Sequence, residues 1–320
     1  MNLSFHSNFS VYIEGMIAQK HALGSPYRWD SQILLQFDRF CVERFSKEKD
    51  LTDEIGLSWA TIRPEESQKS FYYRLAPIRE LARYMNRSGI PAYVIPTDIC
   101  KDGPRYIPHI FTDQELKAFF DAADRIPFSK QNPIRHIIVP VIFRVIYCCG
   151  LRPAEARKLT VRDVNLETGT LNIQESKCHK GRIVMLSPDV LDLCREYRRK
   201  ILTFSFENPY FFPNSHNSLY SCSWLDSMFW KCWEYSSINS FQGNRPRVYD
   251  FRHTFATKRL YLWLKEGKDL SSLLPYLSAY LGHARFAHTA YYIHLVPEFY
   301  PQMAKMDFGR YASLLPEVTL

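Results

Sequence analysis

Two arginines lie where helices are expected to begin, and each could bind a phosphate. Arg152 precedes a proline in the segment GLRPAE, and a residue before proline avoids the right-handed helical region, so Arg152 marks a helix start. Its guanidinium could bind a phosphate through two parallel hydrogen bonds at the positive end of the helix dipole, and Glu155 could hold it in place. The segment YDFRHTFAT puts Arg252 and His253 in the first turn of another helix, with Asp250 as its expected N-cap.

The second of these helix starts is also strongly basic. Between positions 241 and 260 the chain has five lysines or arginines and a single acid, Asp250. This balance favours phosphate binding over a merely solvated basic surface. Arg245 and Arg247, which precede the helix, are candidate DNA contacts.

A basic hairpin tip lies between two short predicted strands. Residues 170–175 alternate apolar and polar side chains, which predicts a strand, and residues 182–186 predict the returning strand. Lys177 in the tip is solvated unless the tip reaches into a groove, where its ammonium could donate a proton. Lys180 and Arg182 beside it are further candidate DNA contacts.

A histidine and a tyrosine complete the set. His283 ends the tripeptide Leu-Gly-His, and Tyr292 follows nine residues later in AYYIH. Either residue alone is more often packed in a core than catalytic. The interest lies in the order of the five elements along the chain.

The composition is that of a packed protein with a mild preference for polyanions. Of 320 residues, 46% are hydrophobic, 23% are charged and only 12 are glycine, which excludes wholesale disorder and collagen-like structure. The formal net charge of +8 mildly indicates a partner such as nucleic acid. No apolar run approaches the roughly 20 residues that cross a bilayer, and the amino-terminal sequence lacks a signal-peptide pattern, so we expect a cytoplasmic protein with no membrane partner.

The eight cysteines do not form the framework of a small disulfide-rich protein. Cys178 and His179 are the one pair that hints at a metal, but no C-x-x-C accompanies them. Reduced structural thiols are therefore expected, with no metal site.

The elements that must position these residues predict a mainly α fold with a small antiparallel β-sheet. The first hundred residues have helical periodicity, and residues 95–108 are rich in proline and turn residues, which indicates a linker. Thr112 and Glu115 then form an expected capping box at a new helix start. We place the domain boundary between residues 105 and 106.

Four motifs in this order resemble the catalytic domain of the tyrosine recombinases, also called the phage integrase family. They are GLRPAE, SKCHKGRIVMLS, YDFRHTFAT and LGHARFAHTAYYIH, and the resemblance runs from about residue 111 to about residue 296. It implies that residues 1–105 form a helical, SAM-like core DNA-binding domain with its linker. Residues 106–320 would be the catalytic domain with a C-terminal tail, and the two domains would close on duplex DNA as a C-shaped clamp.

The resemblance also implies the role of each candidate residue. Tyr292 would be the nucleophile and Lys177 the general acid. The remaining residues would surround the phosphate: Arg152 and Arg252 as two clamps, His283 at the position where the family has His or Trp, and His253 and Glu155 as supporting residues.

One position departs from the family pattern. Tyr249 occupies the place of the first histidine of H-x-x-R; a phenol can donate a hydrogen bond to a phosphoryl oxygen but is a poor base near neutral pH. We expect a reduced or differently tuned rate, and not an inactive site. Tyr291 is adjacent to Tyr292, and the spacing from His283 favours Tyr292 as the nucleophile.

These groups suffice for phosphodiester cleavage without a cofactor. Two arginines neutralise charge on the non-bridging oxygens, and a lysine protonates the departing 5′ oxygen. The 3′-phosphotyrosyl product keeps the bond energy, so rejoining needs neither ATP nor a metal.

The resemblance implies double-stranded DNA as partner, a homotetramer on that DNA, accessory DNA-bending or directionality proteins, and a nucleoid-associated location. The function it implies is site-specific recombination for integration or excision of a mobile element. Two alternatives stay open from the sequence: a type IB topoisomerase-like relaxing enzyme, and a DNA-binding member with a weak or inactive site.

Overall fold

The protein is described by a computed structural model that covers residues 3–100, 106–174, 181–204, 208–215, 218–238 and 244–295. The chain divides into two compact units, residues 1–105 and 106–320. The fold is mostly helical with one small antiparallel sheet, so the predicted fold class is confirmed. None of the helices in the described ranges is long and apolar enough to cross a bilayer.

Over residues 3–100, the first unit has four α-helices and one 3-10 turn. Its own core contains Phe9, Leu34, Phe37 and Leu75, all with no exposed side-chain surface. The helices are α1 (Ser10–Ala22), α2 (Arg28–Arg44), α3 (Asp53–Trp59) and α4 (Gln68–Arg87), followed by the turn Thr97–Ile99.

In its described ranges, the second unit has eight α-helices and a small sheet. Its described α-helices are α5 (Asp113–Asp124), α6 (Arg135–Cys148), α7 (Pro153–Lys158), α8 (Pro188–Leu202), α9 (Cys222–Tyr235), α10 (Asp250–Lys265), α11 (Leu270–Leu281) and α12 (Ala287–Ala290). Two 3-10 segments accompany them, Val161–Asp163 and Tyr291–Leu295. Helix α5 begins with the predicted capping box: Thr112 Oγ1 accepts from the Glu115 N–H at 3.1 Å, and Glu115 Oε2 accepts from the Thr112 N–H at 2.7 Å.

The sheet has the strand order β1-β2-β3, with β1 at Val164–Asn165, β2 at Thr170–Ile173 and β3 at Arg182–Met185. Both neighbouring pairs are antiparallel, and Leu171 of β2 lies opposite Val184 of β3. The two predicted strands are confirmed. The two-residue strand β1 was not predicted, because so short a segment has no measurable alternation.

An aromatic cluster fixes the start of α10, the helix that carries Arg252. Phe251 is fully buried, and its ring centre lies 4.8 Å from that of Phe111 and 5.1 Å from that of Phe119. Ring pairs at these separations add to the hydrophobic gain of burial. The residue next to Arg252 is therefore locked into the core of the unit, which leaves little freedom to the backbone of Arg252.

A smaller apolar cluster joins α10 to α11 and to the segment that carries Tyr292. Leu260 of α10, Leu277 and Leu281 of α11, and Ile293 are all buried in it. Helix α11 begins at an N-cap, since the carboxylate of Asp269 accepts from two backbone N–H groups of its first turn. These contacts bring the ends of α10 and α11 and the Tyr292 segment together.

Candidate active site

Arg152 lies at the N-cap position of α7 with an extended backbone, as predicted. Its Nη1 donates to Glu155 Oε1 at 2.6 Å, and its Nη2 donates to the carbonyl oxygen of Gly282 at 2.8 Å. Glu155 Oε2 also accepts from the backbone N–H of Arg152 at 2.8 Å. The guanidinium is thus held at the helix start, while about a fifth of the side chain, 21%, stays exposed.

Glu155 is a buried acid that joins three arginines. Arg182 donates to both of its carboxylate oxygens, at 3.0 and 2.8 Å, and Arg252 Nη1 lies 4.0 Å from Oε2. Burial acts to raise the pKa of Glu155, but the hydrogen bonds and charges of Arg182 and Arg152 outweigh it and lower that pKa to about 2. Glu155 is therefore ionised at neutral pH.

Arg182 was predicted to contact DNA, and the structure places it inside the protein. Besides its two bonds to Glu155, its Nε donates to the carbonyl oxygen of Tyr280 at 2.7 Å, and its side chain is only 8% exposed. All three guanidinium nitrogens are therefore engaged with protein acceptors. This geometry favours the positioning of Glu155 over a contact with DNA.

Arg252 has no exposed surface. Its Nη1 donates to the Gly150 carbonyl oxygen at 2.8 Å and its Nη2 to that of Leu281 at 2.5 Å, whereas its buried Nε has no hydrogen-bond partner among the described residues. Burial lowers its pKa, partly offset by the neighbouring phenols of Tyr249 and Tyr292. A guanidinium with a free donor in this setting has capacity for one more acceptor.

The turn after α11 is the point where the two predicted phosphate clamps meet. Arg252 binds the carbonyl of Leu281, and Arg152 binds that of Gly282, the residue before His283. Gly282 has φ +66°, and a Cβ there would lie 3.0 Å from Nη1 of Arg182. Only glycine meets both demands, a left-handed backbone and close approach of a guanidinium.

His283 and Tyr292 lie side by side beyond this turn. Their ring centres are 6.0 Å apart with an angle of 26° between the planes, and Nδ1 of His283 lies 2.7 Å from Oγ1 of Thr289. Burial, together with the charges of Arg252 and Arg152, lowers the pKa of His283 to about 3. The imidazole is neutral at physiological pH.

Tyr292 is buried, with 2% of its surface exposed, whereas Tyr291 is half-buried. Burial raises the pKa of Tyr292 to about 12, and the positive charge of Arg252 acts against that rise. The Tyr292 hydroxyl is therefore protonated at neutral pH in the DNA-free protein.

His253 and Tyr249 flank the same phenol. The ring centre of His253 lies 5.5 Å from that of Tyr292 and 5.1 Å from that of Tyr249. Burial and the charges of Arg247 and Arg252 lower the pKa of His253 to about 4, and its buried Nδ1 has no hydrogen-bond partner within the described ranges. Tyr249 thus lies at the site, as its place in the motif predicted.

The expectation that Asp250 caps α10 is wrong. Tyr249 occupies the cap position with helical backbone angles, and Asp250 is the first helical residue. Its buried carboxylate points back and accepts from the Arg247 N–H at 2.9 Å and from the Arg247 side chain at 3.1 Å. The Tyr106 hydroxyl, 2.9 Å away, is its third partner.

Arg245 and Arg247 are exposed and lie just before the first turn of α10. Arg245 lies 3.8 Å above the ring of Trp230, and Arg247 lies 3.4 Å above the ring of Tyr106. Stacking on an aromatic face holds a guanidinium in place while leaving its donors available. Their predicted role as DNA contacts fits this exposure and remains a prediction.

Some predicted features lie outside the described residues. These are the hairpin tip with Lys177 and Lys180, the Cys178–His179 pair and the C-terminal tail after residue 295. Within the described part of the chain, no group of three or more histidine, cysteine, aspartate or glutamate side chains could hold a metal ion.

Sequence reasoning missed two residues of the site, Thr289 and Tyr106. Thr289 lies six residues after His283, and nothing in a single sequence distinguishes such a threonine from an ordinary core residue. Tyr106 lies at the end of the proline-rich linker, and its partner Asp250 is 144 positions away. Contacts of such separation follow from tertiary packing and leave no local pattern.

The family comparison agrees with this arrangement. Residues 109–298 match the family model described as the phage integrase family. The integrase/recombinase protein y4rB of Sinorhizobium fredii is 27% identical over 299 residues, covering 91% of this chain and 94% of that protein. Tyrosine recombinase XerH of Campylobacter jejuni is 27% identical over 190 residues, covering 59% of this chain and 49% of that protein.

Solved structures share the fold. A crystal structure of XerH site-specific recombinase bound to palindromic difH substrate, a post-cleavage complex, has a TM-score of 0.63 at 20% identity and covers 86% of this chain and 78% of that one. A lambda integrase dimer bound to a COC′ core site has a TM-score of 0.60 at 14% identity, covering 87% of this chain and 96% of that one.

The class of protein that the fold and the family match define is the tyrosine-type site-specific recombinase. The chain belongs to the phage integrase family, whose model matches more than half of its length.

Proposed function

We propose that this protein cuts and rejoins duplex DNA at specific sites through a 3′-phosphotyrosyl intermediate formed on Tyr292. One observation carries the proposal. The guanidinium of Arg252 binds the carbonyl of Leu281, and that of Arg152 binds the carbonyl of Gly282. The next residue is His283, whose ring lies against that of Tyr292. A phosphate bound there would meet two cations, an imidazole and the nucleophile.

Charge neutralisation is the task of the two arginines. Arg152 keeps part of its guanidinium exposed, and the Nε of Arg252 is a buried donor without a partner within the described ranges. Such donors, fixed before the reaction, stabilise charge that develops on the non-bridging oxygens at no cost of reorganisation. Glu155 keeps the set of arginines in place, since it is ionised and bonded to Arg152 and Arg182.

Activation of the nucleophile requires removal of a proton from Tyr292. The pKa of that phenol, about 12, favours the protonated form, so the proton leaves as the oxygen attacks phosphorus. The ring centre of His253 lies 5.5 Å from that of Tyr292, nearer than that of His283 at 6.0 Å, so His253 is placed to accept that proton. Lys177 of the hairpin is the proposed donor to the departing 5′ oxygen.

Double-stranded DNA is the proposed substrate and partner, bound as a homotetramer. The relatives named integrase or recombinase and the neighbours solved on DNA support DNA as the partner, as does the net charge of +8. Integration or excision of a mobile element is the proposed biological setting, assisted by accessory DNA-bending or directionality proteins. No ATP, metal or other cofactor takes part in the proposed reaction.

The experiment that tests this function is the capture of a covalent adduct. The full chain is incubated with nicked duplex DNA in excess EDTA, and the protein–DNA adduct is separated on a denaturing gel. We expect the wild-type protein to form the adduct and Tyr292→Phe to bind DNA with unchanged affinity but form none. The matched control is Tyr291→Phe, which removes the neighbouring hydroxyl and should leave the adduct intact.

The result that contradicts the assignment is an adduct with Tyr292→Phe and none with Tyr291→Phe. DNA binding by the wild type without any adduct would favour the alternative of a DNA-binding protein with an inactive site.

A further inference from the structure

Thr289 lies against His283 in a way that determines where the imidazole carries its proton. Its hydroxyl has no exposed surface, and Oγ1 lies 2.7 Å from Nδ1 of His283. No other hydrogen bond of this hydroxyl occurs among the described residues. Among the described residues, the Thr289 hydroxyl is therefore hydrogen-bonded to this one ring nitrogen alone.

The direction of this hydrogen bond follows from the cost of burying an unpaired donor. If Nδ1 carried the proton, it would donate to Oγ1, and the buried hydroxyl hydrogen would have no acceptor. If the hydroxyl donates to Nδ1, both groups are satisfied. The second arrangement is favoured, and it requires Nδ1 to be unprotonated.

The imidazole is neutral, because burial and the nearby arginines keep its pKa near 3. A neutral imidazole has one N–H, so an unprotonated Nδ1 puts that N–H on Nε2. Nε2 has no protein partner among the described residues and is not sealed from solvent.

We propose that Thr289 is a positioning residue that fixes the tautomer of His283, so that the Nε2–H is presented to the non-bridging oxygen of the bound DNA phosphate. This inference rests on the proposed function, which places the phosphate beside His283. The backbone of His283 is held as well, since both arginines bind the two carbonyls that precede it. Thr289 adds control of the ring itself, which the backbone contacts do not supply.

A nuclear magnetic resonance experiment on the free protein tests the tautomer directly. The full chain is labelled with ¹⁵N-histidine, and two-bond ¹H–¹⁵N spectra at pH 7 identify which ring nitrogen carries the proton. The His283 signals are assigned by their loss in His283→Gln. We expect the Nε2–H tautomer in the wild type and in Thr289→Ser, and a mixture of tautomers in Thr289→Val, which keeps the shape but has no hydroxyl.

The rate of adduct formation tests whether the tautomer affects the reaction. At saturating nicked DNA, Thr289→Val should form the adduct about 2- to 10-fold more slowly, because only the fraction of the imidazole with its proton on Nε2 is competent, without a change in DNA affinity. Thr289→Ser should restore the rate. In a His283→Gln background, Thr289→Val should slow the reaction no further, because its effect passes through the imidazole.

The matched control is Thr257→Val. Thr257 is also a buried threonine, but its hydroxyl donates to the backbone carbonyls of His253 and Thr254 and touches no imidazole nitrogen. Its loss should leave the His283 tautomer and the adduct rate unchanged.

An Nδ1–H tautomer in the wild type, or an unchanged tautomer in Thr289→Val, would overturn the proposal. Additive effects of Thr289→Val and His283→Gln on the adduct rate would overturn it as well. If the wild type formed no adduct, the proposed function would fail, and the spectra would still decide whether Thr289 sets the tautomer.

Discussion

At the scale of single residues, Glu155 determines how the arginines of the site are arranged. It accepts from Arg152 and Arg182 and lies within 4.0 Å of Arg252. Removing the carboxylate would leave buried guanidinium charges without a partner. The resulting loss of folding free energy exceeds the net stabilisation that the ion pairs provide. A variant without the carboxylate should therefore lose both stability and the geometry of Arg152.

The stability contribution of Glu155 has a defined pH dependence. Its folded pKa of about 2 lies below the ordinary 4.5, so its contribution is complete above about pH 4.5 and is lost as the pH falls toward 2. We expect Glu155→Gln to lower the free energy of unfolding by about 3 kcal/mol at pH 7, and by about half of that at pH 3.

Urea unfolding of the full chain, followed at the two pH values, measures this difference. The control is Glu167→Gln, which alters an exposed carboxylate and should change the free energy of unfolding at neither pH. An equal loss for Glu155→Gln at both pH values would show that folding does not lower the pKa of this carboxylate.

At the scale of elements, the turn between α11 and His283 brings the site together. Gly282 ends α11 with a left-handed backbone and touches Arg182, while its carbonyl holds Arg152. Arg182 cannot move away cheaply, because three hydrogen bonds fix its guanidinium. The turn therefore depends on the absence of a side chain at this position.

Gly282→Ala should destabilise the protein more than the same change at an unconstrained left-handed position. Gly267 is that position: its φ is +67°, and a Cβ there would meet no atom within 4 Å. Gly267→Ala should cost about 1 kcal/mol, the ordinary penalty of a left-handed alanine, and keep full adduct formation. Gly282→Ala should cost more and slow the adduct, since Arg182 and with it Glu155 must shift.

Thermal unfolding and adduct kinetics on the two variants provide the comparison. Equal effects of the two substitutions on both measurements would show that the approach of Arg182 to Gly282 does not matter.

The elements themselves followed from local sequence signals where those signals were strong. Thr112 and Glu115 predicted the capping box, and the position of Arg152 before a proline predicted the N-cap of α7; both are confirmed. Asp250 failed as a predicted N-cap because the turn begins at Tyr249 and the carboxylate bonds backwards to Arg247.

The order of the motifs predicted which residues belong to the site, but it did not predict the hydrogen bonds between them. Motif order named Arg152, Arg252, His283 and Tyr292, and the structure brings these four together. The inward turn of Arg182 could not be foreseen, because a basic residue in a basic hairpin gives no sign of a buried acid 27 positions earlier.

At the scale of the whole molecule, the positive charge is unevenly divided between the two units. Residues 1–105 contain 14 lysines and arginines against 13 acids, a net charge of +1, whereas residues 106–320 contain 27 against 20, a net charge of +7. A field of this kind attracts a polyanion over distances comparable to the Debye length. The second unit should therefore supply most of the salt-dependent affinity for DNA.

Position, and not charge alone, should decide which arginines contribute to that affinity. Arg247 and Arg195 are matched in charge and exposure: their side chains are 46% and 47% exposed, and each pairs with an aspartate three residues away, which is buried for Arg247 and exposed for Arg195. Arg247 lies beside the proposed phosphate site, and Arg195 lies on α8. Arg247→Gln should reduce the slope of log affinity against log salt concentration by about one, as expected for one lost phosphate contact, and Arg195→Gln should leave it unchanged. Equal slopes for the two variants, measured by fluorescence anisotropy on duplex DNA from about 50 to 200 mM salt, would mean that Arg247 attracts DNA only through net charge and contacts no phosphate.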